Sequence, residues 1–140
     1  MNETLSQLIC TLEETQKRLQ NILPSIYDTN ATQLQTQLIN HLGKTNEQTV
    51  PQIATAQQSS RQNIQVVINE LLTLGIVIKK VNPNHKRSVI YKLSSIGFDI
   101  YKHNKKAHDS FIGGISPLFK EDELYETQRV LEKLNEALKN

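Results

Sequence analysis

The sequence has 140 residues, of which 37% are hydrophobic, with no tryptophan and a single cysteine. This length fits one domain, and the lean aliphatic composition indicates that some apolar surface is buried against a partner. No apolar run approaches the roughly 18 residues of a membrane span, and the first residues lack the form of a signal peptide. A cytoplasmic protein with no membrane partner is therefore predicted, and one cysteine is compatible with that reducing compartment.

The first third of the chain predicts two helices. Leucine and isoleucine recur at helical spacing from about Glu3 to Leu23, and Pro24 is expected to end this helix. A second helix is predicted over Thr32 to Leu42, with Gly43 as its C-cap.

Two further helices follow across a short polar turn. Thr49 is predicted to cap a short helix that begins VPQIATA, with the proline in its first turn. After the break QQSS, Ser60 is predicted to cap a longer helix that lasts to Leu74 and ends at Gly75. A short helix, a polar turn and a longer helix are typical of a helix-turn-helix.

The second half predicts a hairpin and two more helices. The β-branched runs IVIKKV and SVIYKL flank the six-residue loop NPNHKR. Helical patterns follow from Ser95 to about Ile112 and from Glu121 to Leu138, with GGISP interrupting between them. The predicted fold is mainly α with a small β-hairpin wing, in the order α-α-α-α-β-β-α-α.

Helices at both chain ends carry apolar stripes with too little chain left to cover them. The middle, from about Thr32 to Leu93, can close a small core of its own. We predict a symmetric homodimer built from both ends; the alternative is that the two ends pack only on each other. The predicted interface residues are Leu5, Leu8, Ile9, Leu12, Leu124, Leu131, Leu134 and Leu138.

The long middle helix has an apolar side and a polar side. The apolar stripe is Ile64, Val67, Ile68 and Leu71, and at about 100° per residue the other side carries Arg61, Gln62, Gln65 and Asn69. Arginine suits guanine edges, and glutamine or asparagine suits adenine edges, so this side could read a DNA major groove. Free N–H groups at the helix start, with the hydroxyls of Ser59 and Ser60, favour a phosphate.

Charge supports a polyanion site in this part of the chain. The formal net charge is only +2, but residues 76–108 hold eight lysines and arginines against one aspartate. His85, Lys86 and Arg87 lie at the tip of the predicted hairpin, where a cationic wing can reach a minor groove. Taken alone, the excess of lysine and the cationic hairpin tip also fit an ordinary solvated surface. Because the hairpin follows a candidate recognition helix, a DNA-binding wing is the better interpretation.

The span from Thr49 to Gly97 resembles the MarR (multiple-antibiotic-resistance repressor) family of winged helix-turn-helix regulators. The matching motifs are TVPQIA, SSRQNIQVVINELLTLGIV, NPNHKRSVIYKL and LSSIG, and the helix order extends the resemblance to nearly the whole chain. It implies a homodimer on double-stranded palindromic operator DNA and repression relieved by a small-molecule effector or an oxidant. A DNA-binding lobe over residues 31–94 and dimerisation helices over 1–30 and 95–140 are expected.

The resemblance also implies roles for individual residues. Base contacts fall on Arg61, Gln62, Asn63 and Gln65, and phosphate contacts on Thr49, Gln52, Ser59, Ser60, Asn69 and Lys80. Arg87 would be the wing arginine, beside His85 and Lys86. The chain departs from the family at His85, where an aspartate is usual, and at Gln57 and Ser59, where apolar residues are common around the turn.

A sensor is less clearly marked. Cys10 lies off the apolar stripe of its helix with no cation close to it, so a tolerated cysteine is favoured over an oxidant switch. His103 and His108 are about 140° apart on a helix, which disfavours a shared metal ion. The resemblance implies an effector pocket that Tyr27, His41 and Tyr101 could line.

Two rival functions use the same fold. No paired carboxylates, glycine-rich phosphate loop or nucleophile-base pair indicates an enzyme, and no cofactor is expected. A winged-helix protein-interaction module would place hydrophobic anchors where this helix carries arginine, glutamine and asparagine. A plasmid or phage replication initiator would share the DNA chemistry but act at repeated origin sites.

Overall fold

The computed structural model describes residues 1–27, 30–85 and 87–139, which form two compact units, Met1–Ala107 and His108–Asn140. The elements are α1 (Asn2–Tyr27), α2 (Gln33–Thr45), α3 (Val50–Gln57), α4 (Arg61–Thr73), β1 (Val77–Val81), β2 (Val89–Leu93), α5 (Ser95–Ile115), a 3-10 turn (Ser116–Leu118) and α6 (Glu121–Ala137). The predicted order of four helices, a hairpin and two helices is confirmed. In the part of the chain described, no helix is long and apolar enough to cross a membrane.

The core of the first unit lies between α2, α3, α4 and the hairpin. Its fully buried side chains are Leu38, Ile39, Leu42, Ile53, Ile64, Ile68, Leu71 and Val77. Burial of each aliphatic side chain contributes about 1.5–3 kcal/mol, so this cluster is the main source of stability in the unit. The apolar stripe predicted for α4 is confirmed, because Ile64, Val67, Ile68 and Leu71 are all buried.

Hydroxyl side chains begin the three helices of the lobe. Thr49 and Ser60 cap α3 and α4, as predicted, and Thr32 caps α2. Gln35 and Gln52 complete reciprocal capping boxes with Thr32 and Thr49. The start of each helix is therefore fixed by local sequence.

The hairpin is antiparallel, and its register pairs Val77 with Leu93 and Val81 with Val89. Gln48 adds a third strand-like segment, because its N–H and C=O both bond to the backbone of Tyr91, at 3.0 and 2.8 Å. The connecting loop spans 82–88, one residue longer than predicted, because β2 begins at Val89.

Two predicted helix ends in the first unit are wrong. α1 continues through Pro24 to Tyr27, because the proline removes only one backbone hydrogen bond, and the N–H groups of the three residues after it can still bond within the helix. α2 continues through Gly43 to Thr45. Gly43 is required by packing instead, because a Cβ there would lie 2.2 Å from the ring of Tyr101.

The predicted interruption at the glycine pair is also wrong. α5 includes Gly113 and Gly114 and ends at Ile115. Each glycine weakens a helix by about 1 kcal/mol relative to alanine, but it leaves the backbone hydrogen bonds possible. The chain instead leaves the helix at Pro117, which lies in the 3-10 turn.

Asn46 is strained, and glycine there should stabilise the protein. Its φ of 75° and ψ of −80°, with the Glu47 N–H bonded to the Thr45 carbonyl at 3.2 Å, form a γ-turn of the rare type. We expect Asn46→Gly to raise the free energy of unfolding by about 1 kcal/mol, measured by chemical denaturation. Gly75→Ala should lower it by a similar amount, because φ is +74° there although the space around the Cβ is open. A destabilising Asn46→Gly would contradict the strain.

Ser60 and Ser59 provide a matched pair for the start of α4. The Ser60 Oγ accepts the Asn63 N–H at 3.1 Å, whereas the Ser59 side chain makes no hydrogen bond with the described residues. We expect Ser60→Ala to cost about 1 kcal/mol of unfolding free energy and Ser59→Ala less than about 0.5 kcal/mol, by thermal and urea denaturation. Equal losses would show that the cap does not set the stability of α4.

Candidate nucleic-acid interface

The first turn of α4 presents three exposed polar side chains, Arg61, Gln62 and Asn63. None of the three side chains makes a hydrogen bond or ion pair with the residues that the structure describes. Their donors and acceptors are therefore available to a ligand. They are also held in place, because the helix behind them is anchored by its buried stripe.

Gln65, one turn further along, is held by its neighbours. Its Nε2 lies 3.0 Å from the Oδ1 of Asn69 and 3.5 Å from the hydroxyl of Tyr91 on β2. The Oε1 of this half-buried amide is therefore still available to a ligand, and so is the Nδ2 of Asn69. The Tyr91 contact joins α4 to the hairpin and was missed from sequence, because the two residues are 26 positions apart.

The turn between α3 and α4 is compact. Gln58 adopts the left-handed conformation, with φ of 51° and ψ of 43°, and its N–H bonds to the Thr55 carbonyl at 3.3 Å. The Ser59 N–H bonds to the Ala54 carbonyl at 3.0 Å. Backbone hydrogen bonds thus close the turn although Gln57 and Ser59 replace apolar side chains.

Several of the residues predicted to contact phosphate already serve as caps. Gln52 accepts the Thr49 N–H through Oε1 at 2.9 Å, which leaves its exposed Nε2 as a donor. Ser60 accepts the Asn63 N–H through Oγ and keeps its hydroxyl proton for a second bond. Capping and phosphate binding are therefore compatible at both helix starts.

The cations of the lobe are not equivalent. Lys80 forms an ion pair with Glu47, a residue of the loop after α2 that sequence reasoning did not single out. In contrast, Arg61 and Arg87 are exposed and form no ion pair with a described residue. Both arginines are thus available to a polyanion, whereas Lys80 is already engaged by a carboxylate.

The tip of the hairpin is held by hydrogen bonds within the loop, to both the side chain and the backbone of Asn82. Asn82 Oδ1 accepts the Asn84 N–H at 3.0 Å, and the Asn82 carbonyl accepts the His85 N–H at 3.2 Å. His85 and Arg87 are both exposed, and Lys86 lies outside the described residues. These bonds give the loop an anchor other than the aspartate usual in related wings.

The terminal helices are amphipathic but unburied. None of the described side chains of α1 or α6 is buried. On α1, Leu5 and Ile9 are exposed and Leu8 and Leu12 half-buried. On α6, Leu124 is exposed while Leu131 and Leu134 are half-buried, and Leu138 just beyond the helix is exposed.

A cavity of about 110 Å³ lies between the C-terminal end of α1 and α2. It is lined by Leu23, Pro24, Tyr27, Ala31, Gln33, Thr36, Gln37 and Asn40. Burial raises the pKa of the Tyr27 phenol, so its hydroxyl stays protonated and can donate a hydrogen bond.

The other two residues expected in an effector pocket lie elsewhere. His41 Nε2 lies 2.8 Å from the Oε1 of Gln48, and Tyr101 packs on the core over Gly43. Asn104 of α5 is fully buried; its Nδ2 donates to the Oδ1 of Asn40 at 3.4 Å, and its own Oδ1 has no partner among the described residues.

Cys10 is exposed on α1. Within residues 1–27, 30–85 and 87–139, no three histidine, cysteine or acidic side chains are grouped closely enough to hold a metal ion.

Sequence comparison identifies the lobe. The sequence model of the MarR family matches residues 28–88. Among curated proteins, none matches this sequence at a significant level.

Solved structures with the same fold align with nearly the whole chain. A crystal structure of a MarR family transcription regulator has 26% identity and a TM-score of 0.80, and the alignment covers 97% of this chain and 93% of that one. A mutant of MarR from Escherichia coli in complex with operator DNA has 20% identity and a TM-score of 0.75, covering 94% and 93%. FabT from Streptococcus pneumoniae in complex with DNA has 16% identity and a TM-score of 0.78, covering 99% and 97%. The last two likenesses show the fold.

The helix-turn-helix with its hairpin, the match of the family model to residues 28–88 and the alignment of a solved family member along nearly the whole chain support one identification: a winged helix-turn-helix regulator of the MarR type.

Proposed function

We propose that this protein is a homodimeric, sequence-specific DNA-binding regulator that represses transcription from palindromic operators and acts in the cytoplasm. The observation that carries the proposal is the first turn of α4, where Arg61, Gln62 and Asn63 are exposed on a helix anchored by its opposite side. Two proteins with this fold, MarR and FabT, were crystallised with DNA. The proposal is for a regulator and not an enzyme.

In this proposal α4 enters the major groove with its N-terminal end. Arg61 would pair with the O6 and N7 of guanine, and Gln62 and Asn63 with adenine edges. Gln65 would accept from a base through Oε1, because its Nε2 is bonded to Asn69 and Tyr91. The proposed base-reading groups are thus the three free side chains of the first turn and the fixed acceptor Oε1 of Gln65.

Phosphate contacts would flank this surface. Thr49, Ser59 and Ser60 lie at the starts of α3 and α4, where backbone N–H groups and the helix dipole favour an anion. Asn69 and Lys80 would add side-chain donors. His85, Lys86 and Arg87 would enter the neighbouring minor groove from the hairpin loop. These roles place both arginines on DNA.

We propose that the terminal helices, residues 1–30 and 95–140, form the dimer. The apolar residues of α1 and α6 are exposed or half-buried in one chain, and a second copy would cover them. Two lobes, each over residues 31–94, would then bind the two half-sites of a palindrome.

We propose that a small molecule relieves repression by binding at the α1–α2 cavity. Its lining is mostly apolar, and polar groups of Tyr27, Thr36 and Asn40 can orient a ligand there. Half-buried Asn40 belongs to the lining and accepts a hydrogen bond from the fully buried Asn104, whose Oδ1 has no partner among the described residues. An oxidant signal has weaker support, since it would rest on Cys10 alone.

A replication initiator is the second candidate, because it would use the same DNA surface. Mapping of binding sites across the genome separates the two functions: a regulator occupies promoters, and an initiator occupies repeated origin sites. An interaction module is disfavoured by the hydrogen-bonding side chains on the exposed start of α4.

Removal of either arginine should weaken DNA binding in a different way. We expect Arg61→Ala to reduce affinity for the selected operator about tenfold or more and to relax the preference at one base pair. Arg87→Ala should weaken binding to all duplexes and make the salt dependence shallower, because a groove cation releases counterions. Fluorescence anisotropy with operator and scrambled duplexes, over a series of salt concentrations, measures both effects.

Lys139→Ala is the matched control for these variants. Lys139 is an exposed cation beside α6 that pairs with Glu136 in the second unit. Its removal should leave affinity within about twofold. If wild-type protein ignores every duplex at low salt, the DNA-binding proposal fails.

Glu47 should limit DNA affinity by pairing with Lys80. We expect Glu47→Gln to raise affinity about threefold, because it removes a negative charge near the phosphates and frees the ammonium. Folding should change little, since an exposed ion pair contributes less than about 1 kcal/mol. Anisotropy titration measures the effect, and Glu136→Gln, which frees Lys139, is the control. Unchanged affinity in Glu47→Gln would remove Lys80 from the phosphate contacts.

A further inference from the structure

We propose that Val66 is a specificity-determining residue that recognises the C5-methyl group of a thymine in the operator. The inference rests on the proposed function, because it adds a contact to the same DNA-reading surface. It concerns an apolar side chain on the face of α4 whose other members are polar.

Val66 stands apart from the other aliphatic residues of α4. It is 53% exposed, whereas Ile64, Ile68 and Leu71 are completely buried and Val67 is nearly so. The side chains next to it on the helix surface are Gln62, Asn63, Asn69 and Glu70, which are all exposed. Val66 is therefore not part of the packing that holds the helix on the lobe.

Helix geometry places Val66 on the outward side. At about 100° per residue, it lies roughly 30° from the direction opposite to the centre of the buried stripe. It follows Gln62 by one turn, a rise of about 6 Å, which is close to two base-pair steps of about 3.4 Å. When Gln62 meets a base edge, Val66 faces the groove floor one or two base pairs away.

The chemistry of valine selects the ligand. It has no hydrogen-bonding group, and its β-branch makes it a poorer helix former than the residues that usually fill exposed positions. The thymine methyl is the apolar group that the major groove presents. The nearest acidic side chain, Glu70, bonds to Gln35 Nε2 through Oε2 at 2.7 Å, which draws its charge toward α2. The surroundings of Val66 thus permit approach to DNA.

The test removes the C5-methyl of the thymine and the two γ-methyl groups of Val66, first separately and then together. The full-length protein selects its preferred duplex from a random library, and each thymine of that duplex is then replaced by deoxyuridine, which lacks only the methyl. We expect loss of one particular methyl to weaken wild-type binding about fourfold, the effect of one buried methyl group. Val66→Ala should weaken binding to the unmodified duplex by a similar factor.

Coupling between the two changes decides the inference. In Val66→Ala the same deoxyuridine substitution should have no further effect, because the contact is already absent. Leu74→Ala is the control, since Leu74 is 59% exposed at the far end of α4, about 12 Å further along the axis. It should leave both the affinity and the methyl effect unchanged, and circular dichroism should show equal folding.

Other outcomes overturn the inference in distinguishable ways. If the protein selects a duplex but no thymine shows this coupling, Val66 is ordinary surface and the proposed function stands. If a methyl effect persists unchanged in Val66→Ala, another residue reads that methyl. If no duplex is selected at low salt, the proposed function and this inference fail together.

Discussion

The burial of one side of α4 is the constraint on which the proposed DNA-reading surface depends. Ile64, Ile68 and Leu71 are completely enclosed by α2, α3 and the hairpin, so the helix cannot rotate about its axis without exposing them. A shift of one residue is a rotation of about 100° and would bury a polar side chain in their place. The buried stripe therefore fixes the rotation of α4 and determines which side chains lie on its exposed side.

The same core fixes the hairpin relative to α4. Val77 and Tyr91 are buried in it, and the backbone of Tyr91 also pairs with Gln48 ahead of α3. At the other end of the hairpin, Ser94 Oγ donates to the Gly75 carbonyl at 2.6 Å. A Cβ at Gly97 would lie 2.1 Å from the Ile76 carbonyl oxygen, so glycine permits the close start of α5. The LSSIG motif thus ties the hairpin to the end of α4.

Local features were readable from sequence. The caps at Thr49 and Ser60 depend on residues three positions apart, and the stripe of α4 depends on helical spacing, so both were predicted. The errors arose where packing outweighed a local preference. Gly43 resembled a C-cap, yet it lies under the ring of Tyr101, more than fifty positions away.

The candidate site also combines features that follow from local sequence with features that depend on the fold. Which polar residues lie on α4 follows from its period, but which of them are free does not. The bond from Gln65 to Tyr91 and the ion pair of Lys80 with Glu47 join distant positions through the register of the hairpin and its neighbouring segment. A sequence pattern contains no information on such pairings until the fold is known.

The small number of unengaged polar side chains at the start of α4 bears on the role of the proposed dimer. One lobe offers three unengaged polar side chains at the start of α4, and each good base contact discriminates by about 1–3 kcal/mol. Three such contacts amount to about 3–9 kcal/mol, slightly below the roughly 4–10 kcal/mol that separates specific from non-specific DNA binding. Two lobes joined through α1 and α6 would double the contacts without any change in the reading helix. If the exposed apolar stripes at the chain ends form the proposed dimer, they would bring a second lobe to the DNA and so raise the selectivity of binding.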